Sequence, residues 1–138
     1  KNGDKFETPL QGLSNVILTP HIGGSTEEAQ ENIGEDVSVK LYQYLERGVS
    51  NGSHTIPDIS LPPVDGAHRI LHIHRNVPGV LSAINTVMSK NKINIVGQYL
   101  KTNEEIGYVV LDVDSKLSKK AIELLREVKE TVRVRMLY

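Results

Sequence analysis

His68-Arg69-Ile70-Leu71-His72-Ile73-His74-Arg75-Asn76-Val77-Pro78-Gly79-Val80 changes the period of its apolar residues partway along, and the fold follows from that change. From His68 to His74 the pattern has period two, with Leu71 and Ile73 on one face, so the stretch is predicted as a strand. Pro78 suits the first turn of a helix, and Val80, Leu81, Ile84, Val87 and Met88 then fall on one helical stripe. Ile93–Lys101 is predicted as a second strand and Thr102–Glu105 as a turn. Gly107–Asp114 is a third strand, with Val109, Leu111 and Val113 on one face and Asp112 and Asp114 on the other. Ser118 is expected to cap a second helix whose stripe is Ala121, Leu124, Leu125 and Val128. Val132-Arg133-Val134-Arg135-Met136 alternates as a last strand. The order βαββαβ makes an α+β sandwich, one antiparallel sheet with two helices on one face.

A core built from so short a stretch is marginal, and a small sheet has exposed edges. Pairing an edge across a dimer removes that liability, so a homodimer is expected.

Upstream the pattern is different. Asn15-Val16-Ile17-Leu18-Thr19 is a short apolar, β-rich run, stopped by Pro20 and Gly23-Gly24; it is predicted as a buried strand and a tight turn. Ser25 or Thr26 can cap a helix with Glu27 and Glu28 in its first turn, beside the positive dipole end. Ala29, Ile33, Val37, Leu41 and Leu45 continue that helix as an i, i+4 stripe, one face to be buried, until Gly48. Residues 49–66 are rich in Ser, Asn, Gly and Pro and read as a linker.

Composition excludes several function classes. The chain has 138 residues, and with no cysteine it has no disulfide, thiolate metal site or cysteine nucleophile. No apolar run approaches the roughly 18 residues of a membrane span, and the first residues carry no signal-peptide pattern. Lys1 in place of methionine reads as a fragment or processed product. The net charge of −1 conceals an asymmetry. Residues 1–66 hold 4 Lys and Arg against 10 Asp and Glu, whereas residues 67–138 hold 12 against 7. A solvated lysine face accounts for the basic half.

Two constellations bear chemistry. His21 follows Thr19-Pro20 at the expected end of a strand, where open α/β sheets place ligands; an imidazole there can accept a hydroxyl proton while hydride leaves the same carbon. Taken alone, a histidine after a proline in a turn is better read as having no such role. The second is His72, His74 and Asn76, with Asn94 on the next strand. His72 and His74 leave the same face of their strand. The two amides offer donors and acceptors to a small zwitterion; the plainer reading makes Asn76 a turn residue. A metal at the histidine pair lacks a third ligand and is not expected. RNA binding by a βαββαβ module needs stacking aromatics on its central strands; here only Tyr99 and Tyr108 are placed, so no nucleic-acid partner is expected.

The run NVILTPHIGGSTEEAQENIG (Asn15–Gly34) resembles the end of the catalytic part of D-3-phosphoglycerate dehydrogenases. HIHRNVPGVLSAIN (His72–Asn85), NIVGQYL (Asn94–Leu100) and GYVVLDVD (Gly107–Asp114) resemble that family's C-terminal ACT domain in its bacterial, serine-inhibited form. The resemblance covers nearly the whole chain and reverses the plain reading of His21. It implies NAD-dependent oxidation of 3-phosphoglycerate to 3-phosphohydroxypyruvate, the entry to L-serine biosynthesis, in a cytoplasmic oxidoreductase. It implies a Rossmann-type nucleotide-binding domain ending at residues 1–24, a crossover helix at 25–48, the linker at 49–66 and a ferredoxin-like ACT domain at 67–138. By the same match His21 is the catalytic acid/base, and His21, Ile22, Gly23 and Gly24 form a turn that touches NAD. His74, Asn76 and Asn94 match the family's L-serine ligands, Asn94 coming from the neighbouring subunit. The assembly implied is a homodimer through ACT domains, within a tetramer of the parent enzyme. The family's glycine-rich dinucleotide fingerprint, substrate arginine and histidine-partnering glutamate have no counterpart in this sequence, so activity is not expected of the chain alone. Gly66-Ala67 stands where members show Gly-Gly, which implies a stiffer hinge. A freestanding amino-acid-binding ACT module without enzyme activity is the alternative reading.

Overall fold

The computed structural model describes residues 6–137. The chain divides into two compact units, the first ending at Asp36 and the second running from Val37.

The first unit contains turns and the start of a helix. No strand forms among its described residues, which corrects the expectation for Asn15–Thr19. Val16 N–H donates to Leu13 O in a local turn, and Ile17 is 90% exposed. The physical reason is that a strand satisfies its backbone in a neighbouring strand, and the described residues of this unit supply none. Helix α1, Glu27–Arg47, begins as its sequence predicts: Thr26 Oγ1 accepts from Ala29 N–H at 3.1 Å, with Glu27 and Glu28 in the first turn. Its apolar stripe is not buried. No residue of α1 is buried, and Ile33, Val37, Leu41 and Leu45 are all exposed. An amphipathic period shows which face seeks a partner and cannot supply that partner.

The second unit is built on an antiparallel sheet of order β2-β3-β1-β4, with β1 at Ala67–Arg75, β2 at Ile95–Thr102, β3 at Ile106–Asp114 and β4 at Thr131–Met136. Helices α2 (Val80–Lys90) and α3 (Ser118–Arg126) cover one face. Their Val80, Ile84, Met88, Ala121 and Leu125 meet Ile70, Val109, Leu111 and Val113 of the central strands. Helix α2 starts after Gly79, whose φ is +93° and whose carbonyl accepts from Ala83 N–H. Ser118 does not cap α3. A single 3-10 turn, Ser115–Leu117, precedes the helix and is capped by Asp114, which accepts from Lys116 N–H. Ser118 lies one residue too late to cap, and its hydroxyl instead donates to Ser115 O and meets His68 Nδ1 at 2.8 Å.

The other face of the sheet has irregular cover. Ile56, Ile59 and Leu61 pack with Tyr44 on Leu71, Tyr108 and Val110. The Ser50 hydroxyl closes this segment, donating to Pro57 O at 2.7 Å and accepting from Ile59 N–H at 2.9 Å. Three side chains from the sheet donate to the carbonyls around the end of α1. Arg69 Nη1 bonds Arg47 O at 3.1 Å, the Tyr108 hydroxyl bonds Gly48 O at 2.7 Å, and Arg135 Nη2 bonds Leu45 O at 2.6 Å. These are carbonyls a helix end leaves without internal donors. Arg69 pairs in a fork with Asp112 directly across the strands, at 2.7 and 2.8 Å, and both are buried. Gly48, at φ +73°, must be glycine, because a Cβ there would run into Leu71.

Candidate functional site

β1 sets the geometry. Its alternation sends His68, Ile70, His72 and His74 to the helix-covered face, and both His72 and His74 are buried. His72 Nε2 lies 2.9 Å from Thr131 Oγ1, while the Thr131 hydroxyl donates to Leu125 O at 3.1 Å. With its one proton spent on Leu125, Thr131 accepts from His72, so the His72 proton sits on Nε2 and Nδ1 carries a lone pair. Burial first, and the neighbouring His74 second, lower the pKa of His72 from 6.5 to about 4. Burial also lowers that of His74. Both rings are neutral at physiological pH. They lie 5.4 Å apart between centroids, and the Nδ1 atoms of both are buried without a hydrogen-bond partner. Orphaned buried ring nitrogens of this kind are rare and point to a polar group that completes them.

Two residues past His74, Asn76 is exposed at the strand-to-helix corner. Its Nδ2 donates to Asn103 O at 2.7 Å and its N–H to Glu105 O at 2.8 Å, which ties the corner to the β2–β3 turn. The plain turn role is therefore real, and it leaves the side-chain oxygen of Asn76 available. Arg75 is exposed beside it, with Nε 4.0 Å from Glu130 Oε2. Arg75, Asn76, Glu104 and Glu105 line one open depression of about 520 Å³.

Asn94 is not in this corner. It immediately precedes β2 and accepts from Asp114 N–H at 3.4 Å, and Asp114 is paired with Ala67 at the start of β1. His74 lies seven residues along that strand, about 23 Å away at ~3.3 Å per residue. One chain thus places His74, buried, and Asn76, exposed, at one end of the sheet and leaves Asn94 at the opposite end.

The first constellation is a turn. Ile22 N–H donates to Pro20 O at 2.8 Å and Ser25 N–H to Ile22 O at 3.0 Å; His21, Ile22 and Gly23 are exposed. A Cβ added at Gly23 would meet nothing within 4 Å, and one at Gly24 would meet Ile33 and Gln30 at ordinary contact distances of 3.8 and 3.9 Å. The described residues hold no group of three or more His, Asp or Glu suited to a metal ion. None of their helices is long and apolar enough to cross a membrane.

Sequence reasoning passed over Thr131, which bonds His72, and Gly107, over which the tip of the His74 ring lies. The available signal was a glycine opening a strand that pairs with a histidine strand.

Residues 70–133 match the family model described as an AHAS small subunit-like ACT domain. The chain is 45% identical over 139 residues to D-3-phosphoglycerate dehydrogenase of Escherichia coli (strain K12), covering 99% of this chain and 34% of that protein. To the enzyme of the same name from Dictyostelium discoideum it is 46% identical over 137 residues, covering 99% and 33%. It spans about a third of the length of the curated relatives it matches. The crystal structure of the ACT domain of GTP pyrophosphokinase from Chlorobium tepidum aligns with 54% of this chain and 100% of that one, at 22% identity and a TM-score of 0.47. That superposition is too loose to add to the topology already described. The four-stranded antiparallel sheet with both helices on one face is a ferredoxin-like ACT fold, and along 99% of its length the chain is similar to the C-terminal, ACT-bearing part of D-3-phosphoglycerate dehydrogenases.

Proposed function

We propose that this chain is the L-serine-sensing regulatory part of a D-3-phosphoglycerate dehydrogenase, and that serine binds where two ACT sheets meet edge to edge. The observation that supports this reading is the separation of His74 and Asn76 from Asn94 by the length of the sheet. A two-fold axis reverses strand direction and brings opposite ends together, so the distance that forbids the site in one chain favours it between two. Of the two sheet edges, β4 carries Arg133 and Arg135, charges that blunt an edge. β2 presents Val96 at 64% and Leu100 at 42% exposure, with Lys101 its one charge. In an antiparallel β2–β2 pairing about the middle of Ile95–Thr102, Asn94 of the partner subunit comes opposite Asn103, the residue whose carbonyl Asn76 already holds. Two amides and a neutral imidazole then face one small space. Amide N–H groups serve the serine carboxylate, and amide oxygens and the imidazole lone pair serve its ammonium and hydroxyl. Binding needs no net charge from the protein, which suits a zwitterion.

For the protein of which this chain matches a third, we infer NAD-dependent oxidation of 3-phosphoglycerate in the cytoplasm, with His21 as the acid/base and the His21–Gly24 turn against the cofactor. The rest of that site belongs to other residues of the parent, and a tetramer assembled in part through ACT pairs fits the edge argument. Serine inhibits in this scheme by favouring one placement of subunits over another, a differential affinity.

Titration calorimetry of the chain with L-serine tests the reading, with light scattering for mass. Saturable heat near one serine per subunit of a dimer is expected, weakened at least tenfold by Asn94→Ala and by Asn76→Ala. A folded dimer that gives no heat overturns the serine assignment and leaves the fold intact.

A further inference from the structure

The His74 imidazole does not stay above its own strand. His74 pairs directly with Gly107 of β3, and an ideal Cβ on Gly107 would collide with the far end of the ring, Nε2 and Cε1, and lie 3.1 Å from Cδ2. The ring tip therefore occupies the space where a side chain of residue 107 would begin. Neighbouring strands are about 4.8 Å apart, so the tip of the imidazole reaches across most of one strand spacing, onto β3. The next residue along the same row is Thr102, at the end of the β2 edge. On its other side the ring meets His72, which leans the opposite way, toward β4, and is anchored through Thr131 to Leu125 O. Backbone conformation does not require glycine at 107, since its φ lies outside the left-handed region. What a Cβ there would displace is the tip of the ring.

We propose that Gly107 is a positioning residue of the effector site: it leaves open a lane across β3 along which the His74 imidazole reaches toward the β2 edge, with His72 fixed behind it as a stop. This rests on the reading of that edge as the serine site and adds what decides the reach of its histidine. A side chain at 107 would wall the imidazole back over β1 and leave a hole in the effector site without touching any ligand itself. The row Thr131–His74–Gly107–Thr102 crosses all four strands, so one missing side chain links the anchored interior of the sheet to its exposed edge.

The test is a double-mutant cycle on the full chain with Gly107→Ala, His74→Ala and both together, read by thermal melting and by L-serine calorimetry. Gly107→Ala alone is expected to lower the melting temperature and weaken serine at least tenfold. In the His74→Ala background the same change should leave both quantities unaltered, because the colliding ring is gone. Equal losses in the two backgrounds would overturn the proposal, as would a Gly107→Ala chain that melts and binds serine like the original. If the unaltered chain takes up no serine, the serine reading falls, and the melting cycle still decides whether the His74 ring is seated on Gly107. His72→Gln, which keeps a donor for Thr131, is expected to loosen serine less than Gly107→Ala does; a larger loss would move the positioning role from Gly107 to His72.

Discussion

The two faces of the sheet are closed by different means. On one, α2 and α3 lay down Val80, Ile84, Met88, Ala121 and Leu125 against Ile70, Val109, Leu111 and Val113, an apolar layer with helical period meeting strand period. On the other, an irregular segment and the end of α1 cover Leu71, Tyr108 and Val110, and at the centre of that cover lies the buried pair Arg69–Asp112. The helical face gains its stability from area removed from water. The irregular face depends on a few directional bonds, each aimed at a carbonyl that a loop or helix end would otherwise bury unpaired. A face of the second kind holds one arrangement and fails when a single donor or acceptor is removed.

The largest expected effect breaks that contrast at its centre. Asp112→Ala removes the carboxylate that forks with the buried Arg69 guanidinium and should destabilise by about 3–5 kcal/mol in urea titration. Replacing both partners, Arg69→Met with Asp112→Leu, should recover most of the loss, since both charges of the pair are then removed together. If the double variant stays as unstable as Asp112→Ala, the bonds to Arg47 O and Pro62 O matter more than the ion pair.

Acid sharpens the comparison from the helical side, where the two buried histidines lie. The folded state keeps His72 neutral down to about 4, whereas the unfolded chain takes up that proton near 6.5. Stability from this group is therefore complete above 6.5 and is lost as the pH falls toward 4, by roughly 3 kcal/mol at most. His74 acts in the same direction. Urea midpoints at pH 7 and pH 4.5 measure the loss, and His72→Gln should shrink it; an unchanged pH dependence in that variant would assign the loss to carboxylates. The smallest effect is Tyr108→Phe. It removes the hydroxyl that holds Gly48 O and should cost about 1–2 kcal/mol, seen as a modest fall in melting temperature with the helical face intact.

The helical face was legible from residue order, because Val80, Ile84 and Met88 recur at helical spacing and His68–His74 at strand spacing. The irregular face was not. Residues 49–66 read as a linker from their Pro, Gly and Ser content, and no period marks Ile56, Ile59 and Leu61 as cover for a sheet. Asn15–Thr19 failed in the opposite sense: its composition is that of a strand, yet a strand exists only beside another. Ser118 failed by one turn, since the 3-10 turn before α3 gave the cap to Asp114. At the candidate site, His74, Asn76 and Asn94 could be picked out by type and by resemblance, whereas Gly107 and Thr131 could not.

Residue order by itself determined the βαββαβ succession, the inward stripes of α2 and α3 and the absence of cysteine chemistry, because periodicity and side-chain type are local properties. Only the tertiary structure decided that Asn94 and His74 stand at opposite ends of one sheet, that Arg69 and Asp112 meet inside it, and that a glycine makes room for an imidazole. Those are facts about residues distant in sequence sharing one space, and such distances exist only once strands have chosen their neighbours.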